Sequence, residues 1–449
     1  MKFNINIPNN ANTLIHLLQS HGHSAYVVGG CVRDSILGRN PHDWDICTSA
    51  TPSEMLEIFK DKRVIETGLQ HGTITVVVDG ESYEITTFRI DGDYSDNRRP
   101  DNVTFTTSLE ADLSRRDFTI NAMAYNDEEG LIDPFGGLDD IKCQQINCVG
   151  CAKDRFEEDA LRILRAIRFA AQLEFSIMPE TDWQIHQQYT KLKNISKERI
   201  NSEFSKIAVT RDFCVELLLY KDVFSFFIPE ITDMIGFSQN NPYHDYDVFG
   251  HTVHAIENCN SADLITRLAV LFHDIGKPHC YQDGEDGIRH FKGHGKVSCD
   301  IVDSIMSGLR FDNKTRHDVA ELVYYHDATF EVGAKYIRRW LNKIGPEQFK
   351  RLLEVRKADI MGQKCQYDKE WLKKVEVIER LLEEVLQEDE CFSMKSLAIN
   401  GNDLINIGYK SGKELGHTLN VLLQMVIDDE ILNEKEELLK IATSMMQVK

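Results

Sequence analysis

No stretch of the sequence approaches the ~20 consecutive apolar residues that a membrane-spanning helix needs, so no membrane partner is expected. The opening residues, MKFNINIPNNANTL, lack the apolar segment of a secretory signal, which predicts a protein that is not exported. The eleven cysteines are odd in number and lack disulfide-framework spacing. The one CxxC, Cys148 and Cys151, has no second pair to complete a zinc site. Reduced thiols and a cytoplasmic location are the expectation. Internal repeats, low-complexity tracts and long linkers are also missing, which excludes a solenoid or an extended disordered region. Positive charge is scarce: 51 Lys and Arg face 72 Asp and Glu in 449 residues, a formal net charge of -21. Taken alone, that acidity argues against a nucleic-acid partner.

The acidity is uneven. Residues 1–150 carry 12 basic against 23 acidic residues, whereas residues 151–210 are close to neutral, with 10 against 9. The β signal is confined to the first third. Ala25 to Gly29 reads as a short buried strand, and Gly72 to Val78 with Glu81 to Arg89 reads as a hairpin turning at Asp79-Gly80. Helical patterns at Ala11–His21, Val32–Leu37 and Pro52–Phe59 alternate with these strands and predict a small mixed sheet domain. After Gly150 the apolar spacing is almost wholly helical, notably over Arg155–Leu173, Asp263–Asp274, Trp371–Leu386 and Gly416–Ile427.

Two groups of residues carry chemistry. In the first, Gly29-Gly30 leads from strand to helix, a turn that either is merely tight or presents backbone N–H groups to a phosphate. Asp43-Trp44-Asp45 follows; if it is a strand, both carboxylates share one face, where hard oxygen ligands suit Mg²⁺. The alternative is a solvated turn. Glu84, a charge among β-branched residues, is either an edge-strand surface residue or a third carboxylate for two-metal phosphoryl transfer. Arg89, Arg98-Arg99 and Arg115-Arg116 are candidates for triphosphate or RNA-backbone contact. Asp159, Arg162 and Arg165 recur at three-residue steps, which predicts one helix face carrying an acceptor and donors for a base edge, or simply a salt-bridged helix.

Gly29-Gly30-x-Val-Arg33-Asp34, Asp43-x-Asp45, Arg115-Arg116-Asp117-Phe-Thr-Ile-Asn121 and Glu158-Asp159-x-x-Arg162 occur in that order over about residues 23–210. Together they resemble the class II tRNA nucleotidyltransferases of the polymerase β superfamily, which include CCA-adding enzymes and bacterial poly(A) polymerases. The resemblance implies template-independent addition of CCA to tRNA from CTP and ATP. Asp43, Asp45 and Glu84 would be catalytic, the two aspartates as Mg²⁺ ligands and Glu84 as a third carboxylate. Gly30, Arg33 and Arg116 would bind nucleotide, and Asp159, Arg162, Arg165 and Arg168 would select the base. The apparently intact stretch Phe88 to Phe105 favours CCA addition, or A-addition alone, over CC-addition. The acidic chain lacks the basic extensions of poly(A) polymerases.

The second group is histidine-rich. His251 and His254, His273-Asp274, His290, His294, His326 and Asp359 fall within one helical stretch. An adjacent His-Asp after an apolar run needs compensation for its burial, which a metal supplies. The order His251, His273-Asp274, His294, His326, Asp359 resembles the HD superfamily of metal-dependent phosphohydrolases over about residues 245–360. His251, His273, Asp274 and Asp359 would be ligands of a first metal (Mn²⁺, Mg²⁺, Ni²⁺ or Fe²⁺), with His294 and His326 supporting a second metal or the phosphate. A phosphohydrolase acting on RNA ends or nucleotides is the rival function.

The expected fold is α+β. A polymerase-β-like head with a small mixed sheet (1–145) is followed by an all-α neck (146–240), an HD domain (241–365) and a helical tail that holds tRNA (366–449). The expected partners are tRNA, CTP and ATP, with no DNA and no membrane. The acidity then falls partly on metal-binding carboxylates, with arginines concentrated where phosphates would lie.

Overall fold

The computed structural model describes residues 4–92, 102–242, 245–363, 368–388 and 391–447, so Arg98 and Arg99 and the middle of the 88–105 stretch lie outside the described residues. The chain divides into two compact units, Met1–Ile228 and Pro229–Lys449.

In the first unit the hairpin sets the sheet. Asp79 at φ 52° and Gly80 at φ 85° both adopt positive φ, the requirement of a two-residue turn that matches strand twist. This fixes the register of Thr73–Val78 against Glu81–Thr87, with Val78 opposite Glu81 and Thr75 opposite Glu84. Besides the short parallel pair Gln145–Ile146 and Ser176–Ile177, the strands in chain order are β1 (Ala25–Val28), β2 (Ile46–Thr48), β3 (Arg63–Gly68), β4 (Thr73–Val78), β5 (Glu81–Thr87), β6 (Arg89–Asp91), β7 (Val103–Phe105), β8 (Ala124–Asn126) and β9 (Gly130–Ile132). Seven of them form one mixed sheet in the order β3-β4-β5-β2-β1-β8-β9, and β6 pairs with β7 as a separate ribbon. Beneath the sheet, helix Asn9–Ser20 buries Ala11, Leu14, Ile15 and Leu18, one stripe at helical spacing. Helix Pro52–Ile58 starts at a capping box of Thr51 and Glu54 with Pro52 in its first turn.

Two local expectations are corrected. The Asp43–Asp45 pair does not lie within a strand: β2 begins at Ile46, although Asp45 O already accepts from Val28 N at 3.0 Å. The helix expected over 155–173 is two, Ala152–Glu158 and Leu161–Leu173. Asp159 breaks it by adopting extended backbone, φ -136° and ψ 104°. Its carboxylate accepts from Leu161 N at 3.0 Å, the local alternative to helix that aspartate offers. Helix Leu161–Leu173 is buried on nearly every face and packs on helix Lys197–Ala208.

The second unit is helical apart from the two-residue strands Gln282–Asp283 and Arg289–His290. Helices Val248–Glu257, Leu264–Phe272, His294–Gly308, Asn313–Tyr325 and Pro346–Met361 pack on one another. A separate core toward the C-terminus gathers Leu404, Leu422, Leu423, Ile427, Leu438 and Ala442. Among the described residues, no helix is long and apolar enough to cross a membrane.

Candidate nucleotidyl-transfer and metal sites

Gly29 ends β1 at φ 81° and opens the short helix Gly30–Ile36. A side chain there would be strained by that φ and would meet Arg116 Nη1 at 3.0 Å, so the glycine brings Arg116 close to the turn. Parallel pairing of β2 with β5 sets Ile46 beside Ile85, and the same register places Asp45 next to Glu84. Their proximity is felt electrostatically. Desolvation of the Asp45 carboxyl raises it above its ordinary range, Glu84 and Asp43 raise it further, and Arg116 opposes them. Mutual repulsion of this kind is what a bound cation relieves, and an all-carboxylate oxygen set fits Mg²⁺, although the oxygens of Asp43, Asp45 and Glu84 do not all lie within 4.8 Å of one another.

The arginines form a connected network. Arg33 Nη1 donates to Asn121 Oδ1 at 2.7 Å, Asn121 Nδ2 to Asp117 Oδ1 at 3.1 Å, and Arg165 Nε to Asp117 Oδ2 at 2.7 Å. The guanidiniums of Arg33, Arg165 and Arg168 all stand over the Phe169 ring, at 4.9, 5.3 and 4.2 Å from its centroid. Arg168 is partnered by Glu203 at 3.2 Å, and burial presses its guanidinium down to about 10. So much cationic charge around one ring is suited to a polyphosphate.

Asp117 is the hinge of this network. Burial favours its neutral form, but Arg165, Asn121 and Arg162 outweigh burial and hold its carboxyl far below the usual range. Asp117→Ala would leave Arg165 largely buried without its counter-charge, and a loss of about 3 kcal/mol is expected. A urea midpoint reads this directly. The lowered carboxyl contributes stability above pH ~4, the unfolded value, and the contribution is lost as pH falls toward the folded value. The variant's advantage-free curve should therefore converge on wild type in acid.

The base-selection candidates are near one another but not on one helix face. Asp159, out of the helix, is held by Arg199 Nη2 at 2.8 Å. Arg162 turns to Glu158 Oε2 at 2.5 Å and to the main-chain oxygen of Arg115 at 2.9 Å. Arg199 and Glu203 were not found by sequence reasoning, because their partners, Asp159 and Arg168, lie 40 and 35 residues earlier in the chain.

In the second unit the six histidines and acids of the predicted centre do converge. Two triads share Asp274: His251 and His273 on one side, His294 and His326 on the other. Asp359 Oδ1 lies 3.1 Å from His251 Nε2. Each imidazole sets Nδ1 against a main-chain oxygen: His251 on Gly362 at 3.0 Å, His273 on Val270 at 2.7 Å, His294 on Phe291 at 2.8 Å and His326 on Val323 at 2.7 Å. A carbonyl only accepts, so Nδ1 carries a proton, and in the neutral form of such a ring, the form that binds a metal, Nε2 is a bare lone pair. Those lone pairs face each other in twos, His251 to His273 at 3.0 Å and His294 to His326 at 2.9 Å. Both Asp274 oxygens are buried without a well-oriented hydrogen bond, although Lys277 Nζ is 2.6 Å from one of them. Facing lone pairs beside a buried carboxylate fit a metal cation, and the mixed nitrogen and oxygen set fits a divalent transition metal. Lys277 and Arg356, which contacts Asp359 at 2.9 Å, were missed, though Lys277 falls three residues after Asp274 and so on its side of the turn. His254 pairs with Glu257 and His290 is exposed, so neither joins the cluster.

By its head fold the chain falls in the nucleotidyltransferase class. Residues 25–147 match the family model for the poly A polymerase head domain, and residues 296–442 match that for tRNA nucleotidyltransferase domain 2. Residues 174–235 match a model described as "Probable RNA and SrmB- binding site of polymerase A". The CCA-adding enzyme of Latilactobacillus sakei subsp. sakei is 33% identical over 96% of this chain and 96% of its own length. That of Lactobacillus delbrueckii subsp. bulgaricus is 52% identical over 45% of this chain; there the chain spans about half the length of the relative (50%). The crystal structure of the Bacillus stearothermophilus CCA-adding enzyme in complex with CTP superposes with a TM-score of 0.71 at 29% identity, covering 98% of this chain and 97% of that one. The chain belongs to the family of CCA-adding enzymes.

Proposed function

We propose that the protein adds C, C and A to the 3′ end of tRNA, using CTP and ATP and no nucleic-acid template. The observation that carries this reading is the Arg33–Asn121–Asp117–Arg165 network around Phe169, in the same unit as the Asp43, Asp45 and Glu84 carboxylates. Asp43, Asp45 and Glu84 would hold Mg²⁺, which when bound stabilises charge on the reacting phosphate. Gly30, Arg33 and Arg116 bind the nucleotide's phosphates and sugar. Asp159 accepts from the exocyclic amine shared by cytosine and adenine, and Arg162 donates beside it, with Arg165 and Arg168 supporting the phosphates. Guanine and uracil present the opposite polarity and leave both groups without partners.

Asp159→Ala is expected to reduce discrimination of CTP against UTP by about 10- to 100-fold, the ~1–3 kcal/mol of one lost polar pairing. Single-turnover incorporation with each nucleotide measures it. The function itself is tested by incubating the protein with tRNA lacking its 3′ end, Mg²⁺ and CTP, with or without ATP, and sequencing the product. No addition by folded protein sinks the proposal; addition of A only, to tRNA ending in CC, selects the A-adding variant.

The paired lone pairs of the second unit favour a second activity beside the first. We read His251, His273, Asp274 and Asp359 as ligands of a divalent metal and His294 and His326 as ligands of a second metal or contacts to phosphate, in an HD-type phosphohydrolase acting on RNA ends or nucleotides. The division into head (1–145), neck (146–240), HD domain (241–365) and tRNA-holding tail (366–449) belongs to the same reading, as does a cytoplasmic location.

A further inference from the structure

A pocket of about 430 Å³ in the first unit shares none of the residues assigned above. Its walls come from the end of helix Leu161–Leu173, the strand Ser176–Ile177, helix Pro179–Gln188 and helix Phe213–Leu219. Four acids line it, Glu174, Asp182, Asp212 and Glu216. The one basic group on the wall, His186, has Nδ1 2.8 Å from Asp222 Oδ2. Asp182 is partly satisfied, because Tyr220 donates its hydroxyl to Oδ1 at 2.6 Å.

Glu216 is not satisfied. It is 6% exposed, and its Oε2 has no hydrogen-bond partner. Burial first, then the charges of Asp212 and Asp182, push its carboxyl up to about 8. Nothing in the fold of this helix requires a carboxylate here, since a buried, unpartnered polar group costs ~1–3 kcal/mol. A cation in the pocket would remove that penalty.

The size of the cation follows from the spacing. Among the described residues, these acids do not form a group of three whose oxygens lie within 4.8 Å of one another, so they do not close on a single metal ion. They are spread over a cavity whose remaining wall includes Phe175, Leu219 and Tyr220. Separated negative charges with apolar surface between them match a cation carried on methylenes. Phosphates would be repelled, so the pocket is not an RNA-backbone contact even though the matched RNA-binding region covers it.

We propose that this pocket binds an alkylammonium or alkylguanidinium cation, with Glu216 as its buried counter-ion and Asp182 and Asp212 flanking it. Two sources offer that chemistry, a free polyamine and a basic side chain of a partner protein.

Calorimetric titration of the full chain with spermidine, and separately with N-acetylargininamide, at about 0.15 M salt to screen loose binding to the acidic surface, tests the proposal. Saturable binding of at least one probe is expected, weakened about tenfold or more by Glu216→Gln. Because Glu216 must give up its proton to pair with the cation, affinity should rise up to about tenfold per pH unit below ~8 and level off above it, with proton release to the buffer. The other groups facing it are Glu174, Asp182, Asp212, His186 and Tyr220, and any contribution of theirs persists in Glu216→Gln. Val215→Arg, at an exposed pocket residue, should block the site without disturbing buried groups. Tighter binding of spermidine identifies a free amine as the ligand, and tighter binding of the arginine probe identifies a side chain. Binding of neither probe, or equal binding and proton release in wild type and Glu216→Gln, would overturn the proposal.

Discussion

Asp45→Asn is expected to lower CMP incorporation into tRNA lacking its 3′ end by at least about a thousandfold, ~4 kcal/mol of barrier. Asparagine has the shape of aspartate but not its charge. The main-chain bond from Val28 N to Asp45 O survives the substitution, so β2 keeps its place beside β1 and β5. What disappears is one of the negative charges that together would hold a divalent cation. The carboxyl of Asp45 is already raised by its own desolvation and by Glu84, which shows that Asp45 and Glu84 are within electrostatic reach. With Asn at 45 the repulsion that Glu84 and Asp43 exert on a charge at this position is gone, so the protein should be as stable as wild type or slightly more so. A thermal midpoint unchanged or raised, together with a collapsed turnover rate, is the expected pair of readings. Turnover within tenfold of wild type would remove Asp45 from the metal-binding set.

His273→Ala and Asp274→Asn are expected to abolish metal uptake by the second unit while nucleotide addition persists. Asp274 is the residue common to both histidine triads, so its loss affects both sides of the centre. After loading with Mn²⁺ and desalting, wild type should retain metal and either variant should retain less than about a tenth as much, with phosphodiester hydrolysis reduced by about a hundredfold or more. Asp274→Asn also leaves Lys277 buried against Gln239 without its counter-charge, which lowers stability. His273→Ala avoids that complication and separates loss of metal from loss of fold. Equal metal retention in wild type and His273→Ala would sink the assignment, and loss of nucleotide addition as well would mean that the two activities are structurally dependent.

Where the chain reports its own local geometry, the sequence was a sufficient guide. Asp79-Gly80 announces its turn, and the turn fixes the hairpin register that sets Glu84 opposite Thr75; the parallel pairing of β2 with β5 that brings Glu84 beside Asp45 is a long-range contact and was not legible. The His-Asp step at 273–274 likewise signals a buried charge in need of a counter-ion. Long-range pairing was not legible. Helix periodicity placed Asp159, Arg162 and Arg165 on one face, but Asp159 leaves the helix where Leu161 N and Arg199 take its carboxylate. An aspartate that caps and an aspartate that continues a helix look alike in sequence until the distant arginine is known. Glu216 was invisible for the same reason, since helical spacing alone does not distinguish a surface acid from one closed into a cavity.

The main-chain clamps on the imidazoles have a consequence for assembly. Val270 serves His273, Phe291 serves His294 and Val323 serves His326, each carbonyl three residues before its ring. Three of the four rings are thus aimed by the local turn that leads to them, and only His251, clamped by Gly362, depends on a distant segment. Ring orientation is then available as soon as those turns form, before the helices dock, and ordering these rings for metal capture costs little entropy at the last step. The centre should therefore accept substitutions in the packing between its helices more readily than in the turns that end or begin them.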